Sequence, residues 1–330
     1  MAHSNSSLNC FSACMAKYEH CYIKHTPPCK PPSPHLTFGT MAHEVLYKAG
    51  CLRDEQRDGV SDDEYYTIIP SEVIHNDLKQ YFSIKSWESY FKPIIKQVAK
   101  YESELLDSFN SDDIQIEREV KLQIIPAMLE ELGYPHIKQS LVGVIDCLIY
   151  SKTEAVILDY KFSSERKGQD DFDMNSQLQL YALLIHINYD IPLHNIRIGY
   201  IDIPKQMFGQ PTMLSNGTLS RSKSQNVSQD LYEKAVIAIH GDDSYYNCKP
   251  GGHYYDCWCH LALNKCAYLS IQYLDEDAYE GITKDLLDTA KMIDFMVDNK
   301  MRFLKKYDAY TCKNCEYLQS CKTWLSVYGD

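Results

Sequence analysis

Two β-rich runs lie only four residues apart, and each carries charge where a buried strand would carry none. Leu141–Tyr150 reads LVGVIDCLIY, Ala155–Phe162 reads AVILDYKF, and Ser151-Lys152-Thr153-Glu154 joins them. A parallel pairing needs a crossover of about a dozen residues or more, so a joint this short allows only an antiparallel hairpin. A third run, Ile196–Ile203, follows a stretch of about Met174 to Ile187 that is apolar at Leu178, Leu180, Leu183, Leu184 and Ile187, which predicts a helix. Strand, helix and strand in that order predict an α/β fold, a mixed central sheet flanked by helices.

The rest of the chain reads as additions to that centre. Asn5–Lys24 places Leu8, Phe11, Met15, Tyr18 and Tyr22 at roughly helical spacing and breaks at Pro27-Pro28 and Pro31-Pro32-Ser33-Pro34. A second helix is predicted from about Thr40 to Gly50, with His43 beside Met41, Val45, Leu46 and Ala49. Residues 51–115 are acidic and mostly helical in pattern, with Phe91, Ile94, Ile95, Val98, Tyr101, Leu105 and Leu106 spaced for an amphipathic helix. Polar residues fill 204–230, which reads as a long surface loop, cysteines crowd 248–266, a helix is predicted over about 283–306, and a second cysteine cluster occupies 312–321. The expected organisation is one domain over 1–330, with a helical elaboration at 51–115, a loop and Cys-rich insertion at 204–282, and a C-terminal helix and cysteine segment at 283–330.

With 45% hydrophobic and 24% charged residues the chain can bury a core, and wholesale disorder is excluded. No run approaches about 18 apolar residues, and the opening MAHSNSSLNC has neither the charged nor the apolar region of a signal peptide. A soluble, cytoplasmic protein with no membrane partner is therefore expected. In a reducing compartment, 13 cysteines read as metal ligands or buried apolar residues before they read as disulfides. The net charge of -12, taken alone, disfavours nucleic acid.

The chemistry sits on the hairpin. Asp146 interrupts an apolar strand, and Asp159 and Lys161, two residues apart, share one face of the next, whose other face is Val156, Leu158, Tyr160 and Phe162. Two carboxylates on paired strands can share Mg²⁺ or Mn²⁺, with Lys161 orienting or deprotonating a water and offsetting phosphate charge. An exposed cross-strand ion pair is the plainer alternative. Gln177 and Tyr181, four apart on the following helix, point the same way, and His43 adds an imidazole.

The ordered set Gly39-x-x-x-His43, Gly143-Val-Ile-Asp146, Asp159-Tyr-Lys161 and Gln177-x-x-x-Tyr181 resembles the RecB-type nuclease domain of the PD-(D/E)XK superfamily. The resemblance implies a restriction-endonuclease-like core. It implies metal ligation by His43, Asp146, Asp159 and the backbone carbonyl of Tyr160, a catalytic Lys161, and assisting roles for Gln177 and Tyr181. The implied activity is metal-dependent hydrolysis of DNA, as an exonuclease on single-stranded ends, in recombination, repair or CRISPR-type processing. No Gly-x4-Gly-Lys-Ser/Thr motif is present, so a helicase partner would be a separate protein. The alternatives are a non-catalytic DNA-binding or scaffold protein on the same fold, and a zinc-stabilised interaction module built on 248–321.

Cys312-x-x-Cys315-x5-Cys321 supplies three thiolates, one short of a complete shell. The opening segment, Ser6 to Tyr18 with Cys14, resembles the iron–sulfur subgroup of RecB-like nucleases, the AddB-like and CRISPR-adaptation enzymes. That resemblance implies a [4Fe–4S] cluster on Cys14, Cys312, Cys315 and Cys321, stapling the chain ends together. Four cysteines alone do not separate zinc from iron–sulfur. Cys248, Cys257, Cys259, His260 and Cys266, with His253, read as a zinc knuckle, as packing thiols or as competing cluster ligands. Cys10, Cys21, Cys29, Cys51 and Cys147 have no spacing partner and read as structural.

Charge is unevenly spread. Residues 1–49 hold four Lys+Arg against two acids and 299–325 hold six against two, whereas 50–298 hold 23 against 40. The two basic segments make a local nucleic-acid track compatible with an acidic chain.

Overall fold

A computed structural model describes residues 2–55, 87–111, 113–163, 172, 174–205, 207–241, 246–262, 264–304 and 308–321. The part of the predicted helical elaboration that falls on 56–86 lies outside the described residues. The chain runs through strand β1 (His3–Ser4), helices α1 (Asn5–Ala13) and α2 (Met15–Tyr18), a π-helical turn (Glu19–Ile23), and helices α3 (Pro34–Glu55) and α4 (Trp87–Leu106). Strand β2 (Gln115–Ile124), α5 (Pro126–Glu131), β3 (Leu141–Tyr150), β4 (Ala155–Ser163), α6 (Ser176–Tyr189) and β5 (Ile196–Pro204) form the centre. Helices α7 (Gln229–His240) and α8 (Tyr255–Leu261), strand β6 (Tyr268–Tyr273), and helices α9 (Glu276–Asp298) and α10 (Ala309–Asn314) complete it.

The sheet is mixed and six-stranded, in the order β1-β3-β4-β5-β6, with β2 also paired to β3. β3 and β4 form the expected antiparallel hairpin, and β4 and β5 run parallel through the α6 crossover. Ala155, Val156, Ile157 and Leu158 are all fully buried, because helices cover both faces of the sheet at this strand. On one face α6 and α9 pack with Leu148, Ile157 and Ile198. On the other, α3 and α4 pack with Ile149, Val156, Leu158 and Ile201. A third, smaller core joins α7 and α8 around Tyr232 and Tyr254.

Two helices depart from their expected bounds, each for a local reason. α3 starts at Pro34, not Thr40, since proline suits a first helical turn. It also runs through Gly50 instead of stopping there: a Cβ at this position would lie 2.3 Å from the Arg118 guanidinium, so the glycine marks a close approach. α9 begins at Glu276, seven residues before the pattern does, because the Asp275 carboxylate caps it by accepting from the Ala278 N–H at 2.8 Å, and it ends at Asp298, short of the expected 306, with Asn299 as its C-cap.

The chain ends do meet, but no iron–sulfur staple joins them. Phe303 packs edge-on against Phe11 and stacks on Tyr18, Lys17 pairs with Glu316 at 3.1 Å, the Cys29 N–H donates to the Glu316 carbonyl, and His20 stacks on Tyr317. Ordinary packing and hydrogen bonding do the work assigned to a cluster. Among the described residues no helix is long and apolar enough to cross a membrane.

Candidate active site

The site is a gap in the sheet. On one edge of β3, β1 pairs with Leu141 and Val142, and β4 pairs with Cys147 through Tyr150, leaving Gly143 to Asp146 without a strand partner on that side. The pleat also inverts here. Ile145 packs into the α6–α9 core and Cys147, two residues on, into the α3–α4 core, where period two would put both on one face. The neighbouring strand inverts opposite it: Val120 joins the first core, whereas Arg118 reaches Glu102 of α4, and Glu119 between them takes φ 48°. A non-glycine residue in that region stores strain, and here the strain lies across from Asp146 in the register.

Freed from pairing, the Asp146 carboxylate turns to β4 and accepts from the Tyr160 N–H at 2.7 Å. Its other oxygen lies 3.2 Å from His43 Nδ1, on the third turn of α3. Burial lowers the His43 pKa, but the hydrogen bond to Asp146 and the charges of Asp146 and Asp159 outweigh it, so the imidazole titrates above its ordinary value.

Asp159 is 2% exposed and contacts Lys161 Nζ at 2.5 Å. Burial, then the charge of Asp146, pushes its carboxyl up to about 6 against the pull of Lys161 and His43. Asp159 Oδ2 meets Lys161 as an ion pair and is otherwise a buried acceptor without a hydrogen-bond partner. Lys161 donates to Gln177 Oε1 at 3.0 Å, and Gln177 Nε2 donates to the Tyr181 hydroxyl at 2.8 Å. Gly143 makes room for this row: a Cβ there would stand 2.6 Å from Leu184 and 2.9 Å from the Tyr181 ring. The structure thus draws His43, Asp146, Asp159, Tyr160, Lys161, Gln177 and Tyr181 into one continuous set of contacts.

Sequence reasoning missed what lies beneath. The Tyr160 hydroxyl donates to Glu102 Oε1 at 2.7 Å; Arg118 donates to Glu102 at 2.8 and 3.2 Å and to Asp54 at 2.6 and 3.3 Å; Arg53 closes the group on Glu102. Two guanidinium groups and two carboxylates balance formally, with Glu102 and Arg118 1% and 4% exposed at their side chains. Tyr160 is therefore held at both ends, by Asp146 at its amide and by Glu102 at its hydroxyl. A signal existed, for Glu102 interrupts the buried face of α4 at four residues from Val98 and three from Leu105.

The cysteine expectations need correction. Among the described residues no group of three or more His, Cys, Asp or Glu is disposed to hold a metal ion, and all 13 cysteines are free thiols. Cys14, Cys312 and Cys315 line one cavity of about 610 Å³, without Cys321 among its walls. Short spacing along the chain did not make the four thiols converge, so neither the [4Fe–4S] cluster nor its subgroup stands. The zinc group is likewise dispersed: Cys248 and Cys257 are buried in the α7–α8 core, Cys266 belongs to the α3–α4 core and donates to the Pro93 carbonyl, and Cys259 and His260 are exposed. Burial pushes the Cys248 thiol up to about 11 and that of Cys266 up to about 12, as expected of packed thiols. As for Mg²⁺ or Mn²⁺, an imidazole and two carboxylates, one of them with a buried oxygen that lacks a hydrogen bond, are chemically apt donors. In this arrangement they are engaged by one another, by Lys161 and by the Tyr160 amide, and do not form a ready shell.

A mixed sheet carrying Asp, Asp-x-Lys and a helical Gln-x-x-x-Tyr at a parted hairpin defines a nuclease-type core. The chain belongs to the PD-(D/E)XK nuclease superfamily, whose family profile matches residues 2–322. That span takes in the upstream motifs, so they are not coincidental. No curated protein matches the chain. Among solved structures the chain is similar to one titled "Crystal structure of SSO0001", at 14% identity over 85% of this chain and 84% of that one, with a TM-score of 0.25.

Proposed function

We propose that this protein is a metal-dependent deoxyribonuclease that hydrolyses phosphodiester bonds at single-stranded DNA ends. One observation carries the reading: the two acids, the lysine and the Gln–Tyr pair meet at the one place where β3 has lost its partner strand. A structural ion pair needs no such gap; a phosphate does.

His43, Asp146, Asp159 and the Tyr160 carbonyl would hold the divalent ion, which when bound polarises the phosphate and acidifies a water. His43 now bonds Asp146 and Lys161 contacts Asp159, so both contacts would have to open for these donors to hold an ion. Lys161 then faces the phosphate, its ammonium oriented by Gln177 and offsetting charge in the transition state. Tyr181 fixes Gln177 by accepting from its amide, and the buried Glu102–Tyr160 bond holds the Asp-x-Lys segment beside the gap in β3.

The exonuclease mode, the single-strand preference and a separate unwinding partner rest on the family resemblance. End-labelled single strands, offered with Mg²⁺ or with Mn²⁺, test the reading: the protein releases nucleotides, and Asp159→Ala or Lys161→Ala abolishes release. A wild-type protein that binds strands and cleaves none would be a DNA-binding scaffold instead.

A further inference from the structure

A cavity of about 470 Å³ lies beyond the C-terminal end of β5, between α4 and α7, within the range of sites that hold small organic ligands. Its walls include Tyr90, Met207, Phe208 and Leu231. Lys92 and Lys96, one helical turn apart on α4, line it on one side and Lys234 of α7 on another, and none of the described lining residues is acidic. In a chain with 45 acids against 33 bases, such a lining runs against the composition. Lys92 and Lys96 also make other interactions, and Asp230 brings an acid to the α7 side, where its charge acts on Cys266 against that of Lys234. Cys266, with its thiol pushed up to about 12 by burial, is an inert part of the wall.

The cavity is linked to the candidate active site by packed rings. His43 touches Phe162 at 5.4 Å between centroids, Phe162 touches Phe38 at 5.8 Å, and Phe38 touches Tyr90 at 6.0 Å. Tyr90 is fixed in turn, its hydroxyl donating to the Pro204 carbonyl at 2.6 Å. Register puts Pro204 opposite Ser163, two residues past Lys161, so the cavity opens at the same end of the sheet as the acids.

We infer that this cavity seats one nucleotide of the substrate strand away from the cut, its base against Phe208 and Met207 and its phosphates beside Lys92, Lys96 and Lys234. An aromatic, apolar wall suits any base by its π-face, and ammonium groups at the rim suit a polyanion without selecting sequence. The inference rests on the nucleic-acid reading above and specifies where the strand is gripped.

Binding in EDTA separates the two, because no cleavage is needed. Fluorescence anisotropy would compare a labelled dinucleotide with a graded series of longer single strands, on wild type, on Lys96→Glu/Lys234→Glu and on Phe208→Ala. Both lysines are exposed, and because Lys96 makes other contacts the milder Lys96→Gln/Lys234→Gln is run beside the charge reversal, with each variant melted against wild type and compared only where it is folded. The expected result is a loss of about tenfold or more in affinity for long strands, with the dinucleotide unaffected, and a shallower dependence of log affinity on log salt by about one per lysine–phosphate contact. Phe208→Ala should weaken long strands at unchanged salt slope. If long strands bind the variants as they bind wild type, or if dinucleotide and long strands weaken alike, the cavity is not a strand site, while cleavage by wild type would leave the nuclease reading standing. If wild type neither binds nor cleaves any strand, the function proposal itself fails, and this inference with it.

Discussion

Replacing Asp159 by asparagine should make the protein more stable and less active. The carboxyl titrates at about 6 in place of 3.8, because burial and the neighbouring Asp146 charge disfavour its ionised form more than Lys161 and His43 favour it. A folded-state pKa raised above the unfolded one means that stability is fully present below about pH 4 and is lost as pH rises through about 6. A shift of roughly two units corresponds to about 3 kcal/mol at neutral pH. Unfolding entropy of about 2 cal/mol/K per residue converts this to roughly 4 °C for a chain of this length. Asparagine keeps the shape without the charge and leaves Lys161 with Gln177. Calorimetric melting at a series of pH values should therefore show Asp159→Asn above wild type by about that amount near pH 7.5, with the gap closing toward pH 4.5. An asparagine variant that melts below wild type at neutral pH, or a gap that does not change with pH, would refute the claim that the carboxylate is held there at a cost. Divalent ions extend the test: saturating Mn²⁺ should raise the melting temperature of wild type and not of the variant.

Other perturbations probe the supporting structure. Glu102→Gln leaves Arg53 and Arg118 facing one carboxylate and should cost about 3–5 kcal/mol by chemical denaturation, with Tyr160→Phe costing about 1–3 kcal/mol and lowering kcat more than it raises KM. Gly50→Ala drives a methyl into the Arg118 guanidinium and should destabilise by about 1–3 kcal/mol. Phe303→Ala removes the ring that joins the two chain ends, an expected loss of about 3–5 kcal/mol, read as a lower denaturant midpoint.

The hairpin, β5 and α6 were legible because period two and period 3.6 are local signals, and Asp146 and Asp159 stood out as charges inside apolar strands. The same pattern found α4, whose Phe91, Ile94, Ile95, Val98, Tyr101 and Leu105 are all buried. What spacing cannot tell is which distant side chains converge. Cys312 and Cys315 are close in sequence and share a cavity with Cys14, yet no metal shell forms; Glu102 and Arg118 have no local signature as a pair, yet they build the floor under Tyr160. Gly50 looked like a helix stop because a missing Cβ is the same letter whether it ends a helix or admits an arginine. The pleat inversion at Glu119 and Asp146 was hidden for a related reason: it depends on two strands bending together, and neither sequence alone departs from a strand pattern.

The central claim is that the parted hairpin is a hydrolytic site, and cleavage of end-labelled single-stranded DNA by wild type and by Lys161→Ala tests it most directly. Wild type should release nucleotides with Mg²⁺ or Mn²⁺ and none in EDTA, and Lys161→Ala, assayed below its melting transition, should lose at least about a hundredfold. Wild-type protein that leaves single and double strands intact with either ion, or a Lys161→Ala variant that cleaves as fast as wild type, would contradict it.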